Sequence, residues 1–368
     1  MSLYVHIPWC VRKCPYCDFN SHPFSGELPE AQYLKAIQED LQQQLNAVGT
    51  HQSPVELTSV FFGGGTPSLF SPYFFEQVLE IAQPLLVANA EVTMEVNPGT
   101  REYHNFSDYR SAGINRLSIG AQSFDDTALA TLGRIHKAFE IVDCFRLARE
   151  AEFENINLDL MHGLPDQNLN GALSDLHLAI NLQPEHISWY QLTIEAKTEF
   201  AKRPPLLPVE DVLLTVEKSG LELLAKHGFN RYEISAFAQP GKQCNHNINY
   251  WSFGDYLGIG AGAHGKISGA KIVRTAKPNQ PRLYLRDPLS TTRTEVAEDE
   301  LPAEFMMNAL RLVAGVPQSL FTERTRLSLQ QVQPVIDELV ERKLMSAGRI
   351  SATAQGLRYL DNLVSAFL

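Results

Sequence analysis

The sequence predicts an α/β fold: a partial, TIM-like (β/α)6 barrel joined to a small α+β domain of winged-helix type. Short β-rich runs alternate with amphipathic helical segments over the first two-thirds of the chain. This alternation is typical of a parallel sheet covered by helices. Three helical segments and a short hairpin pattern then follow near the end of the sequence, and they indicate the small domain.

Six apolar, β-rich runs are the predicted strands of the sheet: residues 3–7, 59–62, 91–96, 116–120, 155–161 and 186–193. The amphipathic segments between them are the predicted helices: residues 31–47, 74–86, 138–151 and 169–182. Six strand–helix units favour an open, incomplete barrel over a closed eightfold one. A doubly wound sheet fits the same alternation, so periodicity alone does not choose between them.

The last third of the chain is predicted to hold one more helix and strand, over 208–227 and 229–234, and then a separate domain. The glycine-rich residues 258–265 predict no regular element. Three parts are predicted: a barrel with its extension at 1–275, a connector without steady periodicity at 276–299, and a terminal domain at 300–368. In that domain the predicted helices, hairpin and final helix lie near 301–313, 318–324, 329–343, 344–350 and from 353 onwards.

The charge of the chain restricts its partners. The 368 residues carry a formal net charge of -11, whereas sequence-independent nucleic-acid binding needs a basic surface. Lys and Arg are not concentrated on the terminal domain, so we expect it to contact a protein or to act as a lid rather than to bind DNA. No apolar run approaches the ~20 residues of a transmembrane helix, and no secretory signal is recognisable. We therefore expect a cytoplasmic protein without a transmembrane segment, and peripheral contact with a membrane is compatible with this expectation.

Three of the five cysteines lie within eight residues, at Cys10, Cys14 and Cys17. This Cys-x3-Cys-x2-Cys group follows the first predicted strand, at the end of the sheet where barrels collect active-site groups. Three thiolates hold three irons of a [4Fe–4S] cube and leave the fourth iron for another ligand. Zinc is the competing metal, because His6, Asp18 or His22 offers a fourth ligand for a closed tetrahedral site.

A run of three glycines follows the second predicted strand, in the stretch Phe62-Gly-Gly-Gly-Thr-Pro67. Consecutive glycines let the backbone approach a ligand closely and expose N–H groups to a carboxylate. The plain alternative is a turn between strand and helix. Together with the cysteine group, the run resembles the radical S-adenosylmethionine superfamily. That resemblance implies a partial barrel and a cluster whose open iron chelates the amine and carboxylate of S-adenosylmethionine, with the glycine loop meeting the same amine.

Further motifs narrow the resemblance. They are YVHIPWC at 4–10, GGGTP at 63–67, EVNP at 95–98, GAQSF at 120–124, GR at 133–134 and DLMHGLP at 159–165. In this order they resemble the oxygen-independent coproporphyrinogen dehydrogenases and, more closely, the HemW family of haem chaperones. The similarity spans essentially the whole chain, including the small terminal domain.

The resemblance implies a set of S-adenosylmethionine contacts: Tyr4, Tyr16, Gly64, Gly65, Thr66, Glu95, Gln122, Arg134 and Asp159. The carboxylates of Glu95 and Asp159, near the ends of their strands, are suited to accept hydrogen bonds from ribose hydroxyls. Arg134 is suited to bind a carboxylate bidentately, or else it is a solvated residue at a helix entry. Asp159 is harder to explain as structural, because an unpaired carboxylate in an apolar strand is costly.

Two positions depart from the dehydrogenase pattern. Phe19 stands where those enzymes carry a fourth cysteine, and Gln191 stands where they carry a small residue beside a second S-adenosylmethionine. The segment His246-Asn-Ile-Asn-Tyr250-Trp251 resembles a haem-binding motif of the chaperone branch. Imidazole ligates iron and flat rings pack on a porphyrin, although ordinary cleft and core roles remain open. Cys244 offers a second soft ligand or a site of thioether attachment.

The expected function is therefore that of a haem chaperone, which delivers haem to an unidentified acceptor protein. Its cofactors would be a [4Fe–4S] cluster, exchangeable S-adenosylmethionine and haem. The rival function is oxygen-independent coproporphyrinogen III oxidation, so the question of enzymatic activity stays open, as does the choice between monomer and homodimer. A zinc-stabilised barrel of unrelated function is the third alternative.

Overall fold

The computed structural model describes residues 1–24, 26–48, 55–99 and 106–368. The strands of this part are β1 (Ser2–Ile7), β2 (Trp9–Cys10), β3 (His22–Pro23), β4 (Leu57–Gly64), β5 (Leu86–Val96), β6 (Arg116–Gln122), β7 (Ile156–His162), β8 (His186–Gln191), β9 (Asn230–Glu233), β10 (Ala236–Ala238), β11 (Tyr256–Ile259), β12 (His264–Ser268), β13 (Ile272–Ala276), β14 (Thr292–Glu295), β15 (Val316–Pro317) and β16 (Arg349–Ile350).

The helices of the same part are α1 (Glu30–Val48), α2 (Pro72–Ala82), α3 (Phe106–Ser111), α4 (Asp126–Thr131), α5 (Ala138–Glu150), α6 (Leu169–Asn181), α7 (Glu199–Lys202), α8 (Glu210–Lys226), α9 (Asn245–Trp251), α10 (Pro281–Arg286), α11 (Leu301–Ala309), α12 (Gln318–Thr325), α13 (Gln333–Glu341), α14 (Ala354–Leu357) and α15 (Leu360–Ser365). None of these described helices has both the length and the apolar composition of a membrane span.

One twisted sheet organises the molecule. Its order is β14-β13-β12-β11-β1-β4-β5-β6-β7-β8-β10-β9. The six strands β1 and β4 to β8 are parallel and neighbour one another in chain order, with helices in the crossovers. This is the partial (β/α)6 barrel, so the predicted fold class is confirmed and the doubly wound alternative is excluded. All six predicted strands are present; β5 begins at Leu86 rather than at residue 91.

A seventh parallel strand was not predicted. β11 pairs with the free edge of β1 and places Gly258 opposite Tyr4, although the glycine-rich sequence indicated no regular element. The glycine at 258 is required by close packing, since a Cβ there would lie 1.8 Å from the carbonyl oxygen of His264. β11 was not predicted because it is short and because its partner strand β1 is distant in sequence.

The predicted connector at 276–299 has regular structure. It contains α10 and the edge strand β14, which pairs antiparallel with β13. Tyr284 of α10 is fully buried and donates a hydrogen bond of 2.8 Å to Asp40 of α1, which also forms a buried ion pair with Lys277. The sequence predicts only a connector without steady periodicity here, and the structure adds these two elements to it. β14 is exposed along its whole length and carries no apolar signal, and the six residues of α10 are too few to show a period.

The terminal domain has its own apolar core, formed around Phe305, Phe321 and Ile336. Helices α11 to α13 are followed by a small sheet, in which β16 pairs antiparallel with β15 and Met345 bridges to Ala352. This is the predicted winged-helix pattern, except that β16 pairs with a strand located before α12.

The terminal domain contacts the barrel beside β9. The backbone N–H of Val313 donates to the carbonyl of Tyr232, and the Arg311 guanidinium lies 3.4 Å from the Glu233 carboxylate. The domain therefore closes the barrel next to α9 and contributes Arg311 to its interior.

Candidate functional site: one cavity between the cysteine loop and the α9 helix

A cavity of about 580 Å³ occupies the interior of the barrel. Alternate residues of each strand face it, because side chains alternate across a strand. On β6 to β8 these cavity-facing residues are polar or small, apart from Met161: Arg116, Ser118, Gly120, Gln122, Asn157, Asp159, Met161, His186, Ser188 and Tyr190. Intervening residues such as Leu117, Ile119 and Leu158 belong to the main apolar core. The volume lies within the usual range of ligand pockets, ~300–1,000 Å³.

The cavity has two ends. We call the part at the cysteine loop and the carboxyl ends of the strands the outer end. The inner end is the part at the first residues of β6 and β8 and at α9; Arg116, His186 and Trp251 line it. Arg116 and Gly120 are four residues apart on β6, which corresponds to about 13 Å of extended strand.

The three cysteines line the outer end. Each thiol has a polar neighbour on a different element: Thr66 Oγ1 lies 3.5 Å from Cys10 Sγ, Arg134 3.8 Å from Cys14 Sγ, and Ser21 3.8 Å from Cys17 Sγ. A turn closed by a 3.1 Å bond from the Cys17 N–H to the Cys14 carbonyl shapes the loop. Burial raises the pKa of Cys10 and Cys17, so their thiolates need a stabilising cation.

This donor set fits an iron–sulfur cluster better than zinc. Within the described residues no three His, Cys, Asp or Glu side chains converge as ligands of a single metal ion. A tetrahedral zinc site requires its sulfur ligands at ~2.3 Å from one point. In a cube each of the cysteines binds a different iron.

The glycine run adopts a conformation that other residues do not tolerate. Gly64 has φ +112°, and a Cβ on it would lie 2.4 Å from the His6 ring; a Cβ on Gly65 would lie 2.4 Å from the Trp9 carbonyl oxygen. The N–H groups of Gly64, Gly65 and Thr66 donate to Glu95, to the Ile7 carbonyl and to the Trp9 carbonyl respectively. The expectation that the glycine N–H groups are exposed to a ligand carboxylate is therefore wrong for Gly64 and Gly65.

Two carboxyl groups face the cavity in neighbouring positions. Glu95 accepts a 2.9 Å bond from the Gly64 N–H, and Asp159 accepts 2.8 Å bonds from Ser118 and Asn157. Burial and the nearby Asp159 raise the pKa of Glu95 to about 8. Burial also raises the pKa of Asp159, against these hydrogen bonds. Both groups lack a cationic partner at hydrogen-bond distance among the described residues, so hydroxyl donors of a ligand would stabilise their charged forms.

Arg134 is held rigidly at the outer end. Its guanidinium donates to the Gly120 carbonyl at 2.9 Å and to Asn97 Oδ1 at 3.1 Å, besides its contact with Cys14. The alternative of a solvated helix-entry residue is thus wrong, because the guanidinium lines the cavity and is held by these three contacts. Tyr16 lies beside it, and burial raises the pKa of its phenol.

Gln122 and Tyr4 differ in their relation to the cavity. Gln122 lines it with φ +68°, at a break in the pairing of β6 with β7, and its Oε1 accepts a 2.9 Å bond from Tyr190. Tyr4 is not among the lining residues; its hydroxyl lies 3.0 Å from Nδ1 of His6, whose Nε2 lies 2.9 Å from the Asn20 carbonyl. Since a carbonyl only accepts, Nε2 carries the proton and Tyr4 donates to Nδ1.

The predicted haem segment forms α9 at the inner end. Trp251 lines the cavity and lies under the Arg311 guanidinium, 4.2 Å from its ring centroid. His246 lies behind Phe61, with ring centroids 5.0 Å apart, and its Nδ1 is 3.3 Å from Ser59 Oγ. Tyr250 packs on Trp251 and Tyr256 without lining the cavity. Only Trp251 of the three thus contacts the present cavity directly.

His246 is neutral at ordinary pH. Burial, followed by the nearby charge of Arg116, lowers its pKa to about 4. A neutral imidazole is the form that ligates iron. Reaching an iron in the cavity would require Phe61 to move. Cys244 also lines the cavity, but its thiol donates a hydrogen bond of 3.3 Å to Oε1 of Glu91.

Several cavity-lining groups were not predicted from the sequence, among them Asn97, Arg116, Ser118, Asn157, Ser188, Tyr190 and Arg311. A usable signal was present on the strands: polar residues recur at every second position of otherwise apolar runs, as in Arg116-Leu-Ser118 and Asn157-Leu-Asp159. Arg311 gives no such signal, because only tertiary packing brings the terminal domain to the barrel.

Comparisons with known proteins agree with this architecture. Residues 4–179 match the family model of the radical SAM superfamily, and residues 296–359 match that of the HemN C-terminal domain. The haem chaperone HemW of Escherichia coli strain K12 is 46% identical, with 100% of this chain and 98% of the relative covered. HemW of Bacillus subtilis strain 168 is 34% identical, covering 100% and 99%.

A solved structure shows the same fold at low identity. Coproporphyrinogen III oxidase (HemN) from Escherichia coli, described as a radical SAM enzyme, superposes with a TM-score of 0.82. The identity is 21%, and the alignment covers 100% of this chain and 89% of that chain.

Proposed function

Because the chain belongs to the HemW family of the radical S-adenosylmethionine superfamily, we propose that it is a haem chaperone, which binds haem and transfers it to an acceptor protein. The observation that carries the proposal is the single cavity that connects the cysteine loop with Trp251 of α9. A flat, apolar ligand bound beside Trp251 would be within the same enclosure as the cluster site.

At the outer end, Cys10, Cys14 and Cys17 would hold a [4Fe–4S] cluster. Such a cluster, when bound, supplies single-electron redox chemistry and an open iron for the amino-acid part of S-adenosylmethionine. Glu95 and Asp159 would accept hydrogen bonds from the ribose, and the carbonyls of Gly64 and Gly65 would accept from the amine. Tyr16, Thr66, Gln122 and Arg134 would complete the pocket, and Tyr4 would act through His6.

At the inner end, Trp251 would pack on the porphyrin and His246 would approach the iron after displacement of Phe61. Neutral imidazole and an aromatic face are suited to this ligand. Tyr250 supports the Trp251 ring from the side, with centroids 4.9 Å apart.

The residues at the outer end favour a chaperone over a coproporphyrinogen dehydrogenase. Phe19, at the position of the dehydrogenases' fourth cysteine, is 60% exposed at the cavity rim. Gln191 projects into the cavity where that branch carries a small residue. The proposed location is the cytoplasm, because an odd number of cysteines, three of them in one ligand motif, disfavours a disulfide framework. The acceptor protein and the oligomeric state are not assigned.

The proposal is tested with protein purified without oxygen. Iron and sulfide analysis is expected to give about four of each per chain. Titration with haem, followed by absorbance, should saturate. The haem-loaded protein should then transfer its haem to apomyoglobin, and this transfer should be faster than the aggregation of free haem. His246→Ala should weaken haem binding, whereas His227→Ala, an exposed histidine at the end of α8, should not.

Several outcomes would overturn the proposal or one of its parts. Zinc without iron and sulfide would exclude the cluster. Failure of the wild-type protein to bind haem would exclude the chaperone function. Conversion of coproporphyrinogen III to protoporphyrinogen, with S-adenosylmethionine and a reductant present, would establish the dehydrogenase instead. Equal haem affinity of His246→Ala and the wild type would remove His246 from the site while leaving the chaperone function in place.

A further inference from the structure

Arg116 is a buried cation for which the described residues provide no hydrogen-bond acceptor. Its side chain is only 2% exposed, it is the first residue of β6, and it lines the inner end of the cavity. Its Nε has no partner, and no hydrogen bond from its guanidinium is found within the described residues. The carboxylate that reaches it, Oε2 of Glu91, is 4.0 Å from Nε. Burying a charge in this way is costly unless something compensates it.

Glu91 is engaged elsewhere. Its Oε1 accepts bonds from the Cys244 thiol at 3.3 Å and the His246 N–H at 3.2 Å, and its Oε2 accepts from the Asn245 N–H at 3.0 Å. This carboxylate therefore fastens the first turn of α9 to β5. It neutralises Arg116 only at a distance, and it does not satisfy the donors of the guanidinium.

The surroundings of Arg116 are suited to an amphipathic ligand. Trp251 lines the same end of the cavity with an aromatic ring, and the guanidinium of Arg311 stacks on that ring. Arg311 itself is paired with Glu233 at 3.4 Å. Asp159 is near enough to influence the charge of Arg116, but its oxygens accept bonds from Ser118 and Asn157. Arg116 thus has donors that the protein leaves free.

We propose that Arg116 binds a carboxylate of the ligand that occupies the inner end of the cavity. A guanidinium presents a planar fork of donors that matches a carboxylate bidentately. The identity of that carboxylate rests on the proposed function: if the ligand is haem, it is a propionate. The propionate would accept the hydrogen bonds that the Arg116 guanidinium leaves free, and it would orient the porphyrin with its face toward Trp251.

The test compares haem with its dimethyl ester, in which both propionates are neutral. Dissociation constants for both are measured by absorbance titration with the wild type, Arg116→Gln and Arg116→Lys. The wild type should prefer haem, and Arg116→Gln should lose roughly tenfold to a hundredfold in haem affinity with little change for the ester. Arg116→Lys should retain part of the preference, since a lysine keeps the charge without the fork.

The matched control is Arg149→Gln. Arg149 lies on the outer surface of α5, with partners at Phe153, Gln183 and Glu185, and its removal lowers the positive charge equally. It should leave both dissociation constants unchanged. Binding of the ester also reports that the cavity of each variant is intact.

The possible failures are distinguishable. If the wild type binds neither compound, the proposed function is wrong. If haem binds and Arg116→Gln keeps the wild-type ratio between haem and ester, Arg116 does not bind a propionate, although the chaperone function stands. Equal weakening of haem and ester by Arg116→Gln would also overturn the inference, because it would mean that Arg116 only shapes the cavity.

Discussion

Each end of the cavity contains an arginine, and the two arginines differ in the contacts that the protein gives to their guanidinium groups. At the outer end Arg134 is fixed by Asn97, by the Gly120 carbonyl and by Cys14, although its Nε has no partner. At the inner end Arg116 is more deeply buried than Arg134, and among the described residues it makes only a 4.0 Å ion pair. The outer end is therefore preorganised by the protein alone. The inner end leaves the hydrogen-bond donors of Arg116 unused, and a ligand would accept from them.

The two ends are therefore suited to different kinds of ligand. Rigid positioning at the outer end suits cofactors that stay in one geometry. An incomplete inner end suits cargo that enters and leaves, because the free energy released by completing the arrangement is available only while the ligand is bound. Substitutions at one end should therefore spare ligand binding at the other end.

The largest effect is expected from removing one cluster ligand. Cys14→Ala should abolish the cluster, with iron and sulfide falling from about four per chain to near zero, because two thiolates do not hold a cube. Haem affinity at the inner end should stay within about threefold of the wild type, as the contacts of α9 are unchanged. Transfer of haem to apomyoglobin should slow if the cluster gates release.

Cys144→Ala is the control for this comparison. Cys144 is fully buried in α5 and does not line the cavity, so the variant should retain iron and sulfide. A cluster-free Cys14→Ala protein that also fails to bind haem, while remaining folded, would contradict the separation of the two ends. Unchanged transfer would exclude the gating role of the cluster.

The second prediction concerns the pH dependence of stability at the outer end. The pKa of Glu95 is raised to about 8 in the folded state, so its contribution is fully present below the unfolded pKa and is lost as pH rises through about 8. In protein free of S-adenosylmethionine, Glu95→Gln should therefore gain roughly 3 kcal/mol relative to the wild type between about pH 5.5 and about pH 8.5. Denaturant unfolding at the two pH values measures this gain.

Glu76→Gln is the matched control for that measurement. Glu76 is exposed on α2, and its replacement should give the same difference from the wild type at both pH values. If the stability difference between Glu95→Gln and the wild type does not change with pH, the Glu95 carboxyl group of the wild type is already ionised over this range, for example beside a bound cation. Saturating S-adenosylmethionine should reduce the gain, since ribose hydroxyls would stabilise the carboxylate.

The sequence was most informative at the outer end. The cysteines, the glycine run and the ends of the parallel strands are local features, so the spacing of Cys10 to Cys17 and the position of Gly64 at the end of β4 were sufficient to identify them. The direction of the glycine-loop amides was predicted wrongly. Two of their acceptors, the carbonyls of Ile7 and Trp9, belong to β1 and β2, and spacing does not show such pairing.

The inner end was less predictable because it is assembled from distant segments. Glu91, Arg116, Cys244 and Arg311 come from β5, β6, the start of α9 and the terminal domain. Each residue has an ordinary alternative role when it is considered alone. Only the register of β5 with β6 and the docking of the terminal domain bring them together. The motif at 246–251 located this end, but the structure places only Trp251 of its three predicted residues on the cavity wall.

The smallest effect is an asymmetry within the inner end. Glu91→Gln should destabilise the folded protein by about 3 kcal/mol, because it weakens the attachment of α9 and leaves Arg116 without an anion. Arg116→Gln should cost about 1 kcal/mol or less, because Glu91 keeps its three donors. Hydrogen exchange at the Asn245 and His246 amides should accelerate in Glu91→Gln and stay near wild-type rates in Arg116→Gln. If Arg116→Gln instead destabilises the ligand-free protein as much as Glu91→Gln does, Arg116 is a structural partner of Glu91, and the contrast between a completed outer end and an incomplete inner end no longer holds.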